Sequence, residues 1–114
     1  MDISAIEGAE LKAVEFVDDY LQMRFGEPLL RLYDWPHVLL TDFSVAFGEP
    51  EYRNALCAQI GETVTTAMLE GENALTIEFG NGLVFGLSLR EEDVDGPESG
   101  SYSATGDEAD AQEF

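Results

Sequence analysis

The stretch that most restricts the fold runs from Ala74 to Arg90. Leu75, Ile77 and Phe79 alternate with Thr76 and Glu78; Leu83, Phe85, Leu87 and Leu89 then alternate with Val84, Gly86, Ser88 and Arg90. Successive strand side chains point to opposite faces, so each run has one apolar and one more polar face. Gly80-Asn81-Gly82 between them is a tight hairpin signal, because such turns need backbone conformations that Gly and Asn tolerate. Thr63 to Leu69 is β-branched and moderately apolar, and Glu70-Gly71-Glu72-Asn73 reads as a turn, which extends the pair to a meander. Its apolar face needs a cover, and a helix over residues 50–60 is the nearest candidate.

That helix is marked at both ends. Pro50 suits a first helical position, where its missing N–H costs nothing, and Glu49 and Glu51 complement the positive end of the dipole. Tyr52, Leu56 and Ile60 fall at i, i+4 and i+8, with Ala55 and Cys57 beside them. Gly61 supplies a left-handed stop. Upstream, Ser4-Ala5-Ile6-Glu7 matches a capping box and predicts a short helical turn over 4–10. Residues 13–25 alternate in two phases, with Val14 and Phe16 on one face and Val17, Leu21, Met23 and Phe25 on the other. One extra residue inverts an alternation, so a bulge at Asp18-Asp19 is expected. Gly26-Glu27-Pro28 is a turn into a second strand, Leu29 to Tyr33, which Trp35-Pro36 ends or bends. Val38 to Leu40 and Phe43 to Phe47 read as one more short strand. The expected fold is α+β: an antiparallel sheet of five or six strands, open to strong curvature, with one main helix.

The chain has 114 residues, of which 45% are hydrophobic, a length and composition that suit one domain with a core. One Cys cannot form an internal disulfide, so a reducing, cytoplasmic compartment is the expectation. No apolar run approaches the roughly 20 residues of a membrane span, and the opening MDISAIEGAE lacks the basic and apolar parts of a secretory signal. The charge balance is extreme, with 24 acidic residues against 5 basic ones and a formal net charge of −19. This argues against nucleic acid and against anionic lipid surfaces. It permits attraction to a basic protein surface. Residues 91–114 hold 9 acidic and no basic side chains and are rich in Gly, Ser and Ala. The expected organisation is therefore an N-terminal segment 1–12, a domain 13–100 and a mobile acidic tail 101–114.

Few residues suggest chemistry. Glu91, Asp93 and Asp95 with Gly96 resemble half a calcium loop, but the twelfth position falls on Tyr102, where a bidentate Glu is required. Asp107-Glu108-Ala109-Asp110 spells a helicase Mg²⁺ box without the Gly-rich phosphate loop that would accompany it. Adjacent Asp18 and Asp19 tempt a paired-carboxylate reading, yet such pairs arise by chance in so acidic a chain. His37 is the single His and Cys57 the single Cys, on what reads as the apolar side of the helix, so no His/Cys metal set can form within one chain. No cofactor or catalytic constellation is expected. Tyr and Trp anchor interfaces, and Trp35-Pro36-His37 is an irregular segment carrying the only Trp. Its plainer reading is a corner that turns the chain between strands.

The string Val14-Glu15-Phe16-Val17-Asp18-Asp19-Tyr20-Leu21-Gln22-Met23-Arg24-Phe25 resembles the opening strand of small bacterial proteins of unknown function, which read Val-x-Phe-Val-x-Asp-Tyr-x-Gln before an apolar hairpin. Ala74 to Phe79, the Gly80-Asn81-Gly82 turn, Leu83 to Leu89 and Gly96-Pro97-Glu98 continue the likeness, which spans about residues 13–100. Some of these acidic proteins look like immunity proteins of bacterial toxin systems. The resemblance implies a toxin-binding, non-enzymatic role and transfers no individual site.

Three readings follow. In the first, the chain is a non-catalytic, immunity-like binding protein that meets a basic protein partner through Glu15, Asp18, Asp19, Trp35, His37 and the cluster Glu91, Glu92, Asp93, Asp95 and Glu98. In the second, a small ligand or minor enzymatic site occupies a pocket near Trp35-His37. In the third, the chain is a homo-oligomeric structural module whose acidity serves solubility.

Overall fold

The computed structural model describes residues 3–17, 20–39, 44–70, 73–90 and 99–114. Among them are two antiparallel five-stranded sheets and one short helix, rather than the single sheet expected. In chain order the strands are β1 (Ala13–Val17), β2 (Tyr20–Arg24), β3 (Leu29–Leu32), β4 (His37–Leu39), β5 (Ser44–Val45), β6 (Val64–Glu70), β7 (Ala74–Phe79), β8 (Val84–Ser88), β9 (Gly100–Ser103) and β10 (Gln112–Glu113). The helix α1 (Tyr52–Cys57) lies between β5 and β6. The first sheet has the order β1-β2-β3-β9-β10, and the second β5-β4-β8-β7-β6.

Register explains the core. Directly opposed residues share a face. In the first sheet Val14, Met23, Leu30 and Tyr102 form one cross-strand row, and Phe16, Leu21 and Leu32 form the next. In the second, Val45, Val38, Phe85, Ile77 and Ala67 form a row. These side chains gather in one buried cluster, against which the half-buried Val14 and Phe16 pack and to which α1 adds Tyr52 and Leu56. The meander's apolar face thus shares one core with the other sheet, the N-terminal segment and the helix, rather than being covered by the helix alone.

Further expectations change. The phase inversion in 13–25 is a chain reversal and not a bulge, because β1 and β2 pair antiparallel with Val17 opposite Tyr20. The helix is shorter than 50–60: beyond Ala58 the bonds tighten to i→i−3, from Gln59 to Leu56 and from Ile60 to Cys57. That tightening turns Gln59 inward and leaves Ile60 exposed. Cys57 follows the inward Leu56 by about 100°, so it is exposed rather than apolar-facing.

The chain ends belong to the body as well. Ile3, Ile6 and Leu11 are buried, and residues 8–11 exchange backbone hydrogen bonds with 61–64. The Glu7 carboxylate accepts the Ala67 N–H at 2.9 Å, so it shields the outer edge of β6. Residues from 101 onward were expected as a tail. Instead β9 is inserted between β3 and β10, with Ser101, Tyr102 and Ser103 buried. Gly100 permits this: a Cβ there would run into the Arg31 carbonyl and come within 2.7 Å of Phe114 Cζ. Phe114 closes the ladder by accepting from Ser99 N–H and donating to Gly100 O.

Candidate functional site

Glu15, Trp35 and His37 were the described members of the expected contact set, and the fold sends them to three places. Asp18, Asp19, Glu91, Glu92, Asp93, Asp95 and Glu98 lie outside the described residues.

Glu15 sits on the face of the first sheet turned away from the core. Its cross-strand row runs Glu15, Gln22, Arg31, Ser101, Glu113. The side chains interlock along it. Glu15 Oε1 accepts from Gln22 Nε2 at 3.0 Å and from Arg24 Nε at 2.7 Å, and Gln22 Oε1 accepts from Arg31 Nε at 2.8 Å. The Arg24 bond, seconded by Gln22, holds the Glu15 carboxyl below its ordinary pKa. Arg31 also lies over the Tyr20 ring, which meets Tyr33 edge-on. The face is a preformed polar lattice, and its carboxylate is already matched.

Trp35 belongs to the crossing between the sheets. It stacks on the half-exposed Phe47 with centroids 4.3 Å apart, and on Phe16 of β1 at 6.1 Å. Arg53 lies over the other ring of this stack, 4.8 Å from the Phe16 centroid. Tyr52 meets Phe47 edge-on, and its hydroxyl donates to the Pro36 carbonyl at 2.5 Å. Burial pushes the Tyr52 phenol pKa up, so it stays a donor. The segment acts as a corner, locked by rings and one buried hydrogen bond.

His37 begins β4 with its side chain exposed on the outer face of the second sheet. There it lies in the row His37, Gly86, Thr76, Met68. Gly86 has no side chain, and its neighbours Thr76, Ala74 and Ser88 are small, so the sheet surface sinks between taller flanks. The result is an open depression of about 390 Å³, lined among others by His37, Leu39, Thr76, Ser88 and Arg90. Trp35 does not line it. Sequence reasoning placed a pocket near Trp35-His37 but missed Arg90 and the role of Gly86. The available signal was a Gly inside a strand pattern with no turn to explain it.

The remaining motifs are structural where they are described. Tyr102, at the twelfth position of the calcium-loop register, faces the core. Asp107 Oδ1 accepts the Ala109 N–H, and Asp110 Oδ2 accepts from the Thr105 hydroxyl. Among the described residues no three His, Cys, Asp or Glu side chains converge as a metal cluster, and no helix is long and apolar enough to cross a membrane. No protein-family model, curated protein or solved structure matches the chain.

Proposed function

We propose that this chain is a non-catalytic, immunity-like binding protein of a bacterial cytoplasm, whose carboxylates meet a basic surface on a protein partner. The observation that carries this reading is how the cations are spent. Of the 5 Lys and Arg residues, Lys12 pairs with Glu10 and Arg24 with Glu15. Arg31 and Arg53 lie over the rings of Tyr20 and Phe16. Most of the 24 acidic residues therefore have no cation available to offset them, and the exterior field is strongly negative. Such a field steers a basic partner and raises its association rate. Glu15 contributes little to that contact, because Arg24 already neutralises it. The segment 91–98, with five carboxylates and no cation, is the stronger contact. The exposed Cys57 thiol is compatible with a reducing compartment.

The test is affinity capture at low ionic strength, followed by stopped-flow association with the captured protein over a salt series. A 1:1 complex with a basic protein, whose association slows steeply with added salt, is the expected result. Retention of no basic protein, or an association rate indifferent to salt, removes the reading.

A further inference from the structure

The described lining of the depression over Gly86 differs in charge from the composition of the chain. Acidic residues are 24 of 114 in the chain, yet none of the described residues that line this hollow is acidic, and they include Arg90 and the single His. It is an open hollow of about 390 Å³ on the sheet surface rather than an enclosed cavity. Its floor is not forced by the backbone. Gly86 is absent from the glycines with positive φ, and a Cβ there would make only one near contact, Leu39 Cδ1 at 3.4 Å. A glycine in the middle of a strand weakens it and is retained where something must approach closely. Leu39 stands beside this floor with 40% of its surface exposed. An apolar wall, a flat floor and cationic or donor groups at His37 and Arg90 match one kind of occupant.

We propose that this hollow binds a small planar carboxylate, its flat body resting on Gly86 against Leu39 and its acid group held by Arg90, with His37 donating from the side. Arg90 supplies a planar fork of donors that fits a carboxylate, and no carboxylate among the described lining residues opposes it. This assignment concerns a small ligand and is tested without the protein partner, so either reading can fail alone.

The test is an amide NMR titration of the whole chain with 1-naphthoate, and in parallel with uncharged 1-naphthalenemethanol. Saturating shifts at His37–Leu39, Ala74–Thr76 and Gly86–Arg90 are expected with naphthoate and much weaker ones with the alcohol. Arg90→Gln should weaken naphthoate about tenfold, the effect of losing one hydrogen bond to a charged group. Gly86→Val should abolish binding by filling the floor. It should remain folded, since Val suits a strand and Leu39 can give way, and its amide spectrum away from the hollow reports this. Shifts that do not saturate or that map elsewhere would overturn the assignment. Equal binding of the alcohol, or an Arg90→Gln variant that binds like the parent, would do so too.

Discussion

The two sheets each join a local run of strands to strands from elsewhere in the chain, and they do so differently. The second has a local centre, β6, β7 and β8 in succession, to which β4 and β5 add across β8, and its outer face is left open around Gly86. The first is a long-range product: β1, β2 and β3 come from one end of the chain, and β9 and β10 return from the other to complete it. Its outer face is filled by an interlocked row of Glu15, Gln22 and Arg31 and by buried Ser101 and Ser103. In the second sheet the long-range pair of β4 with β8 leaves a gap in the surface beside Gly86. Closure by a distant segment requires close approach of backbone to backbone, and small residues provide it.

The same substitution in each sheet gives the largest contrast. Gly100→Val drives a side chain into the Arg31 carbonyl and the Phe114 ring, neither of which can yield without opening the ladder. It should cost at least about 3 kcal/mol and lower Tm by more than about 10 °C. Gly86→Val meets only the flexible end of Leu39 and should change Tm by no more than a few degrees, on the order of 0.5 kcal/mol. Thermal unfolding by circular dichroism measures both. A Gly100→Val chain that melts with the parent would deny that β9 seats against β3.

This contrast also explains what the sequence reveals. The β7–β8 pair is legible because Leu75, Ile77, Phe79, Leu83, Phe85 and Leu87 mark its inward positions with large apolar side chains. β9 hides because only Tyr102 faces the core from Gly100–Ser103, and its neighbours are small for reasons of fit rather than polarity. A Gly- and Ser-rich acidic stretch reads as a solvated tail by composition, and its pairing partner lies about seventy residues away. The two phases of 13–25 are visible, but a bulge and a reversal invert the alternation alike, and only the partner strand distinguishes them. Of the site, the exposed His37 is legible as an isolated polar residue beside a corner. Arg90 is not, since nothing in the string shows that β4 lies against β8.

A middle-sized effect tests the crossing that joins the two sheets. The Tyr52 hydroxyl is the buried donor that satisfies the Pro36 carbonyl. Tyr52→Phe keeps the ring against Phe47 but removes that donor, and should cost about 1–2 kcal/mol in urea unfolding with an unchanged m-value. Tyr33→Phe, at a residue with 36% exposure on the outer face, should cost less than about 0.5 kcal/mol. Equal losses would mean that the corner is not held by this bond.

The smallest effect concerns the polar row itself, where two electrostatic trends oppose each other. The chain as a whole carries −19, so acidification or added salt should relieve self-repulsion and raise Tm. The Glu15–Arg24 pair should respond in the other direction. Its folded carboxyl pKa is depressed by Arg24 and then by Gln22, so the pair's contribution is fully present above the unfolded Glu pKa and is lost as pH falls through the folded value. Both side chains are nearly half exposed, so the contribution is below about 1 kcal/mol. A double-mutant cycle of Glu15→Gln and Arg24→Gln separates it from the global trend. The coupling energy should be measurable at pH 7 and vanish near pH 2, while the Glu15 carboxyl titration, followed by NMR, should move upward in Arg24→Gln. A coupling that grew on acidification would mean that the row is held by the hydrogen bonds of neutral groups rather than by charge, and the sheet that closes over long range would then owe nothing to its ion pair.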